Sequence, residues 1–429
     1  MIPTALRCYA FTTGAACALL AGCNGLPSPT GAQGATAASR GYSRVTSNAD
    51  GFGPSSRLVP ITDVLYGTTA AGGANNQGTV YRITTSGAEN VVYSFAVGCR
   101  KRRKCADGLN PTSLVGLNGT LYGTTGGGGV GRCFNSYGPD GCGTFFSVTT
   151  SGDETVLYSF TGGGCGNPLR CPGANYPNGL TAIHDNHGTL YGASWYGGRY
   201  AQGTVFSVTT SGVERVLHSF GKGCNEICGY PDGRFVDLSG TLYGTDPLGG
   251  EQNAGDVFSM SATGRTNVLY SFDAPQHGGN AGVNDGLLNV SGTLYGTSRA
   301  GGAYQKGTAF SITPNGTLIV VHSFGAGCHP GKRCSDGEYP DGSLIDVKGK
   351  LYGTTAGGGL HASGTVFSLT TSGSENVLHS FANSEGSPAG ELTRVKGLLY
   401  GTTAGGECDG GEVYSITLAG TTKVLHVFC

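Results

Sequence analysis

The chain has 429 residues, of which 80 are glycine and 12% are charged, and its formal net charge is -1. This near-neutral balance excludes a uniformly basic surface of the kind that attracts nucleic acid or an anionic membrane. The glycines recur at fixed positions of a repeated phrase, so they indicate turns in a folded domain rather than a low-complexity chain.

The N-terminus has the features of an export signal. Residues 1–22 carry Arg7 near the start, followed by small and apolar residues, as signal peptides do. The signal ends in Leu20-Ala21-Gly22-Cys23, which is typical of a bacterial lipobox and predicts lipidation of Cys23. A plain signal peptide with an incidental cysteine is the alternative. Because Asn24 is not the Asp that resembles an inner-membrane retention signal, we expect a lipid-anchored envelope protein, with the outer membrane favoured.

The segment that follows is predicted to be a flexible tether. Residues 23–54 are rich in Gly, Ala, Ser, Thr and Pro and contain few large apolar side chains. Such a composition buries too little surface to fold, and as a coil it spans roughly 30 Å. We place the folded domain at residues 55–429.

A repeat organises the rest of the chain. Its Leu-Tyr-Gly triplets begin at Leu65, Leu121, Leu190, Leu242, Leu294, Leu351 and Leu399. The spacings of the seven triplets are 56, 69, 52, 52, 57 and 48 residues. A unit of this size cannot bury its apolar faces alone, so neighbouring copies must stack.

Each repeat predicts four short strands. The copy at residues 340–382 has β-branched and aromatic runs at 343–347, 351–355, 365–370 and 376–381, separated by Gly, Ser and Asn. Apolar residues occur on both faces of these strands, as blades packed between blades require. The pattern predicts an all-β, seven-bladed β-propeller of four-stranded antiparallel blades, each from contiguous sequence. A β-solenoid is the alternative, but its coils are shorter.

The repeat resembles the GloVer tandem repeat of "choice-of-anchor" bacterial envelope proteins. The residues that carry the resemblance are Leu121–Thr125, Val156–Phe160 and Gly203–Gly212, and it extends over roughly residues 55–429. The resemblance implies repeat architecture and export. It implies no activity and no catalytic residue.

Fifteen cysteines minus Cys8, Cys17 and Cys23 leave twelve in the mature domain. An even count in an exported chain predicts disulfides. The local pairs are Cys99 with Cys105, Cys133 with Cys142, Cys165 with Cys171, Cys224 with Cys228 and Cys328 with Cys334, leaving Cys408 and Cys429. Close spacing is also seen in metal sites, but paired Cys-x-x-Cys sets and His partners do not occur, so no metal is expected.

The positions of these cysteines predict a binding face. Four pairs fall between the fourth strand of one blade and the first strand of the next, and one falls between second and third strands. These connections emerge on one side of an up-and-down meander, so the disulfides are expected to crowd one rim. A bridge between Cys408 and Cys429 would hold the C-terminus there. Ordered loops on a rigid scaffold are common binding sites.

One predicted binding segment is basic. Arg100, Lys101, Arg102, Arg103 and Lys104 lie between Cys99 and Cys105. A solvated loop is the simplest interpretation. Contact with lipopolysaccharide, an acidic glycan or phospholipid headgroups is the alternative.

A second predicted segment is aromatic. Trp195, the only tryptophan, stands where other copies carry small residues, and Tyr196 and Tyr200 follow it. These side chains are suited to stacking on sugar, or equally to packing within the loop. Tyr176, Tyr230 and Tyr339 precede Pro-Asx-Gly sequences that are interpreted as turns, and they are expected either to ring the channel mouth or to wedge between blades.

Catalytic signatures are absent from the sequence, and no catalytic residue or cofactor is predicted. His218, His322, His379 and His426 share a slot that holds Tyr in other copies, so they are interpreted as structural. Asp246, Asp256 and Glu412 break the repeat without an evident partner. We predict a monomeric binding module for a carbohydrate or anionic envelope component. A polysaccharide-active enzyme with its site at the channel mouth and a passive structural surface protein are the alternatives.

Overall fold

The computed structural model describes residues 49–97, 99, 105–131, 133, 141–161, 173–182, 188–221, 231–251, 253–272, 283–328 and 334–429. They form seven antiparallel sheets, each made of consecutive strands. In the described residues the only helical element is a short 3-10 helix, Asn383–Glu385. No helix there is long and apolar enough to cross a membrane.

Blade 1 begins earlier than predicted. It comprises β1 (Phe52–Pro54), β2 (Val59–Ile61), β3 (Val64–Ala71), β4 (Thr79–Thr84) and β5 (Glu89–Ser94). Both β1 and β2 pair with β3, so the innermost strand is in two pieces. The composition of residues 23–54 predicts that Phe52–Pro54 is part of the tether, and this boundary is wrong. The segment belongs to the sheet because its backbone pairs with β3 and the Gly53 amide donates to the Gly410 carbonyl at 2.9 Å.

The other six blades have four strands each. Blade 2 comprises β6 (Leu109–Leu117), β7 (Thr120–Gly127), β8 (Thr144–Val148) and β9 (Glu154–Ser159). Blade 3 comprises β10 (Ala174–Ala182), β11 (Thr189–Gly197), β12 (Thr204–Thr209) and β13 (Glu214–Ser219). Blade 4 comprises β14 (Val236–Leu238), β15 (Thr241–Asp246), β16 (Asp256–Ser261) and β17 (Thr266–Ser271).

The last three blades keep the same order. Blade 5 comprises β18 (Val283–Val290), β19 (Thr293–Ser298), β20 (Thr308–Ile312) and β21 (Leu318–Ser323). Blade 6 comprises β22 (Glu338–Val347), β23 (Lys350–Gly357), β24 (Thr365–Thr370) and β25 (Glu375–Ser380). Blade 7 comprises β26 (Ser387–Val395), β27 (Leu398–Ala404), β28 (Glu412–Ile416) and β29 (Thr422–Val427).

The glycine of the Leu-Tyr-Gly triplet makes room for an aromatic ring. In blade 6, Gly353 is the register partner of Phe367, and a Cβ on Gly353 would lie 2.7 Å from the Phe367 ring. The same approach occurs between Gly123 and Phe146 in blade 2. The repeat therefore needs glycine at this position because the third-strand ring lies over it.

That ring also joins each blade to its neighbour. The Phe that follows each outer strand meets the third-strand ring of the next blade edge to face, as Phe324 meets Phe367 with centroids 4.9 Å apart. The seven equivalent contacts are Phe95–Phe146, Phe160–Phe206, Phe220–Phe258, Phe272–Phe310, Phe324–Phe367, Phe381–Tyr414 and Phe428–Tyr81. Because Phe428 of the last blade contacts Tyr81 of the first, the blades form a closed ring. The predicted seven-bladed propeller, with no borrowed strand, is confirmed.

The two faces of the ring differ in their connections. The Gly129 amide, between second and third strands, donates to the Cys105 carbonyl at 2.8 Å, and Cys105 lies between blades 1 and 2. These two kinds of connection therefore share a side, which we call the loop face. The opposite side, the turn face, carries the hairpins between first and second and between third and fourth strands.

Disulfide bonds hold the loop face. They join Cys99 to Cys105, Cys133 to Cys142, Cys328 to Cys334 and Cys408 to Cys429. The last bond ties the C-terminal residue to the loop between β27 and β28, as predicted. Cys23, Cys165, Cys171, Cys224 and Cys228 lie outside the described residues.

The interpretation of Pro-Asx-Gly as a turn is wrong for two copies. Pro177-Asn178-Gly179 lies within β10, and Pro340-Asp341-Gly342 lies within β22. The ladder register shifts at both places, so the motif is a β-bulge in the innermost strand. The same residues suit bulges and turns because both need positive φ, which Gly179 and Gly342 adopt.

Candidate functional site

Trp195 and Tyr196 lie near the end of β11 and project from the loop face. Their exposed fractions are 37% and 40%. The Tyr196 ring meets the Tyr176 ring edge to face at 5.8 Å, which fixes the position of the exposed tyrosine. Tyr200, in the loop that follows, is partly buried and lies under the Arg199 guanidinium at 5.7 Å. The structure thus brings the predicted aromatic residues together on one blade.

The predicted basic segment, Arg100–Lys104, lies outside the described residues, as does Tyr230. Its two flanking cysteines are bonded to each other. The anchoring of both ends is therefore established, whereas the role of the five charges stays a prediction.

A second aromatic group lies at the boundary of blades 5 and 6. Lys306 Nζ lies 4.9 Å from the centre of the Tyr339 ring and donates to the Tyr339 hydroxyl at 3.1 Å. The same ammonium pairs with Glu338 Oε2 at 2.6 Å, and Tyr304 lies two residues away with 50% of its surface exposed. Tyr339 is one of the tyrosines singled out in the sequence, whereas Lys306 and Tyr304 are not among the predicted site residues. Alignment of the loops would have found Tyr304, since it occupies the position of Tyr200.

The exposed aromatic side chains share one face. Among the described residues, the exposed Trp, Tyr and Phe side chains are Trp195, Tyr196, Tyr304 and Tyr339. Each lies at the loop-face end of a strand or in a loop-face connection. The exposed large side chains at hairpins of the turn face are the aliphatic Val213 and Leu418. Stacking surfaces are therefore confined to the loop face in the described part of the chain.

Two tyrosines hold a backbone conformation that suits glycine or asparagine. Tyr176 and Tyr339, each before the proline of the bulge, have φ of 55° and 58°. The corresponding positions in blades 1 and 2 are Gly53, with φ 69°, and Asn110, with φ 52°. A bulky residue in this region is strained, and such strain persists where the side chain has a use. The loop-face location of both rings is consistent with such a use.

The innermost strands enclose a cavity of about 460 Å³ on the ring axis, lined by residues from all seven blades. Glu391 of β26 lies at its wall with 7% of its side chain exposed. Its two oxygens accept from Arg57 Nη1 at 2.8 Å and Arg234 Nη1 at 2.7 Å. The three groups come from blades 7, 1 and 4, so the ion pairs cross the channel.

These three residues occupy one slot of the repeat, and each is followed directly by a buried Leu or Phe. In chain order the slot holds Arg57, Ser113, Gly179, Arg234, Gly286, Ser343 and Glu391. Four copies have Gly or Ser, and the three charged ones meet in the cavity. This group is not predicted from the sequence, because Glu391 is 157 residues from Arg234 and 334 residues from Arg57.

Asp246 and Asp256, without an evident partner in the sequence, face each other across β15 and β16. Other blades carry hydrogen-bonded hydroxyls there, such as Thr355 and Thr365 at 2.9 Å. Both aspartates have 0% exposure. Burial, followed by the nearby charge of Asp246, raises the pKa of Asp256 well above its usual value. The pair therefore retains a proton at pH values where an exposed aspartate has lost it.

The fourth-strand position that holds His or Tyr in every blade lies at the boundary between neighbouring blades. His322 lies 3.6 Å from Asp336, and its ring meets Phe324 edge to face. Burial raises the pKa of nearby Glu375 to about 7, an effect opposed by His322 and reinforced by Asp336. Burial likewise raises the pKa of Glu89 to about 7. Recurrence at several boundaries supports the structural interpretation of the histidines.

Solved structures share the fold at low identity. A puromycin hydrolase S511A mutant complexed with PGG matches with a TM-score of 0.55 and 12% identity over 90% of this chain and 56% of that chain. A Mycobacterium tuberculosis puromycin-hydrolyzing peptidase matches with a TM-score of 0.51 and 10% identity. The match covers 89% of this chain and 55% of that chain. The chain thus spans about half the length of these two enzymes.

A periplasmic gluconolactonase from Pseudomonas aeruginosa matches with a TM-score of 0.50 and 16% identity, over 81% of this chain and 91% of that chain. At these identities the likeness concerns the fold alone. No curated protein matches the chain.

The family model described as the Gloeobacter/Verrucomicrobia repeat matches residues 133–335 and 328–429. These matches extend over more than half of the chain, and the resemblance drawn from the triplets and strand motifs is confirmed. Disulfide bonds persist in oxidising compartments, so they indicate an exported protein. The chain belongs to the Gloeobacter/Verrucomicrobia repeat family.

Proposed function

We propose that this protein is a lipid-anchored propeller of the bacterial envelope whose loop face binds carbohydrate. The observation that carries the proposal is the confinement of the exposed aromatic side chains, Trp195, Tyr196, Tyr304 and Tyr339, to the disulfide-held face. Flat rings on a rigid scaffold offer apolar area at little cost in conformational entropy. Sugar rings present apolar faces that match them.

The charged groups beside these rings favour a glycan over an apolar partner. Lys306 and Glu338 lie against Tyr339, and Arg199 lies over Tyr200. An apolar partner would exclude water from these charged groups, which is costly. A sugar supplies hydroxyl groups to them while its carbon face covers the rings.

Catalysis by the acid pair is a poorer explanation. Glycoside hydrolysis needs two carboxyl groups that flank the scissile bond. Asp246 and Asp256 form a close pair, but neither is exposed, and a Cβ on Gly249 would lie only 2.4 Å from Asp256 Oδ2. A sugar therefore does not reach them.

A glycan array probed with the full-length chain in detergent tests the binding proposal. We expect selective binding, and Trp195→Ala should weaken it by about tenfold, as loss of a central aromatic contact does. Val213→Ala, on the turn face, is the matched control and should bind as the wild type does. Equal binding by the Trp195 and Val213 variants would contradict the proposal.

The lipid anchor has its own test. Inhibition of lipoprotein signal peptidase by globomycin should leave an unprocessed precursor in expressing cells, since cleavage before Cys23 follows lipidation. Cys23→Ala should abolish incorporation of labelled palmitate. Normal maturation in the presence of the inhibitor would contradict the lipid-anchor proposal but would not affect the proposal of carbohydrate binding.

A further inference from the structure

We propose that the axial cavity binds a sugar acid, with its carboxylate on Arg57; this inference deepens the proposed carbohydrate binding and rests on it. The cavity, about 460 Å³, is in the range of ~300–1,000 Å³ typical of small-molecule sites. A monosaccharide fits such a space. The ligand is thus the acidic unit of a glycan that the loop face holds.

The donor is Arg57, and Glu391 fixes its position. One nitrogen, Nη1, donates to Glu391 Oε1 at 2.8 Å, while 46% of the Arg57 side chain is exposed. A guanidinium has five N–H donors in a planar fork that matches a carboxylate. Because the buried Glu391 holds one edge of the fork, the ligand does not have to immobilise a mobile side chain.

The charges around Arg57 favour a ligand with both carboxylate and hydroxyl groups. Arg57 and Arg234 share the cavity wall with three carboxylates, those of Glu391, Asp232 and Asp346, and Asp346 is exposed beside the turn-face hairpin of blade 6. A simple multivalent anion would be repelled by these three acids. A sugar acid places its carboxylate on the guanidinium and turns hydroxyl donors toward the acidic side.

A role in closing the ring does not account for these residues. The boundary of blades 7 and 1 already has an ion pair between Lys396 Nζ and Asp63 Oδ2 at 2.6 Å, and Thr393 Oγ1 donates to the Leu58 carbonyl at 2.6 Å. Four other copies have Gly or Ser in the charged slot. Arg234 also reaches Glu391 from blade 4, which is not adjacent to blade 7 in the ring.

The experiment compares sugar acids with their neutral parents by calorimetry on the full-length chain in detergent. The probes are glucuronate, galacturonate and mannuronate against glucose, galactose and mannose. The hydrogen bonds between the ligand carboxylate and Arg57 should make at least one sugar acid bind about tenfold more tightly than its neutral parent. Absence of any preference in the wild type would overturn the proposal.

Arg57→Gln should abolish the preference for the acid. Lys396→Gln is the matched control. It breaks the ion pair with Asp63 at the same blade boundary, and neither of these two residues lines the cavity. Arg57→Lys keeps the charge but loses the fork, so it should retain part of the preference even if Arg57→Gln folds poorly. A full preference in Arg57→Gln, or its equal loss in Lys396→Gln, would contradict the assignment.

Failure of this inference differs from failure of the proposed function. Trp195→Ala should leave the preference for the acidic monosaccharide unchanged while weakening binding on the array. If the protein binds glycans on the array but shows no preference for sugar acids in calorimetry, only the cavity site is overturned. If calorimetry shows the preference but no glycan on the array is bound, the loop-face proposal is overturned and the cavity site stands.

Discussion

The turn face and the loop face are built from the same seven repeats, yet only one of them is uniform. On the turn face, every hairpin between third and fourth strands has one hydroxyl that accepts from the amide four residues later, at 2.9–3.2 Å. On the loop face, aromatic, charged and disulfide-bonded residues differ from blade to blade. The difference indicates that the turn face preserves the fold, whereas the loop face is free to specialise.

The largest expected effect comes from opening the disulfide that holds the chain end on the loop face. The double variant Cys408→Ser/Cys429→Ser should lower the free energy of unfolding by about 3 kcal/mol, because the bond restricts a loop of 21 residues in the unfolded chain. Denaturant unfolding measures the change. A reduction in stability below about 0.5 kcal/mol would show that this face does not depend on its disulfide.

The buried acid pair is the next test, because it lies at the loop-face end of blade 4, where the repeat is broken. Asp246→Thr/Asp256→Thr restores the hydroxyl pair found in other blades and should stabilise the protein by about 2 kcal/mol at pH 8. The raised folded pKa of Asp256 means that its contribution is favourable at low pH and is lost as the pH rises.

The gain in that variant should therefore shrink toward pH 4. Melting temperatures of wild type and variant across this pH range measure it. Ser259→Thr, at a half-buried position of the same strand, is the control. A gain independent of pH would contradict the shared-proton interpretation.

These two tests concern parts of the molecule that the sequence predicted unequally well. The ring follows from the Leu-Tyr-Gly spacing, because seven equal sheets bury their faces only against one another. The crowding of the cysteines follows from topology alone. The contact between Asp246 and Asp256 cannot be predicted from topology, because it depends on the register of β15 against β16. The meeting of Arg57 with Glu391 needs the closed ring, which places residues 334 apart side by side.

A turn-face substitution should affect stability and nothing else. Thr370→Ala removes the hydroxyl that accepts from the Ser374 amide at 2.9 Å, which should lower the free energy of unfolding by about 1 kcal/mol. Glycan binding should stay the same, because the hairpin lies on the side away from the aromatic residues. Parallel unfolding and binding measurements check both statements. A matched loss of affinity would break the distinction between the faces.

The boundaries between blades should respond to pH independently of either face. Glu375→Gln should stabilise the protein at pH 8 and have no effect near pH 4.5, because burial raises the folded pKa of Glu375 to about 7. Wild-type stability therefore falls as the pH rises through that range. The gain should be below about 1 kcal/mol since the carboxyl group is partly solvated. Thermal melts at both pH values measure it, and destabilisation at pH 8 would contradict the sign.

The smallest change in stability, and the sharpest comparison of the faces, comes from Tyr339→Asn. Asparagine tolerates the positive φ of this position, as Asn110 does in blade 2, so the substitution relieves strain of about 1 kcal/mol. It also removes the contact of the ring with Lys306, which offsets a similar amount. Stability should thus change by less than about 0.5 kcal/mol while glycan affinity falls. Unaltered affinity together with higher stability would mean that the strained tyrosine has no role in binding.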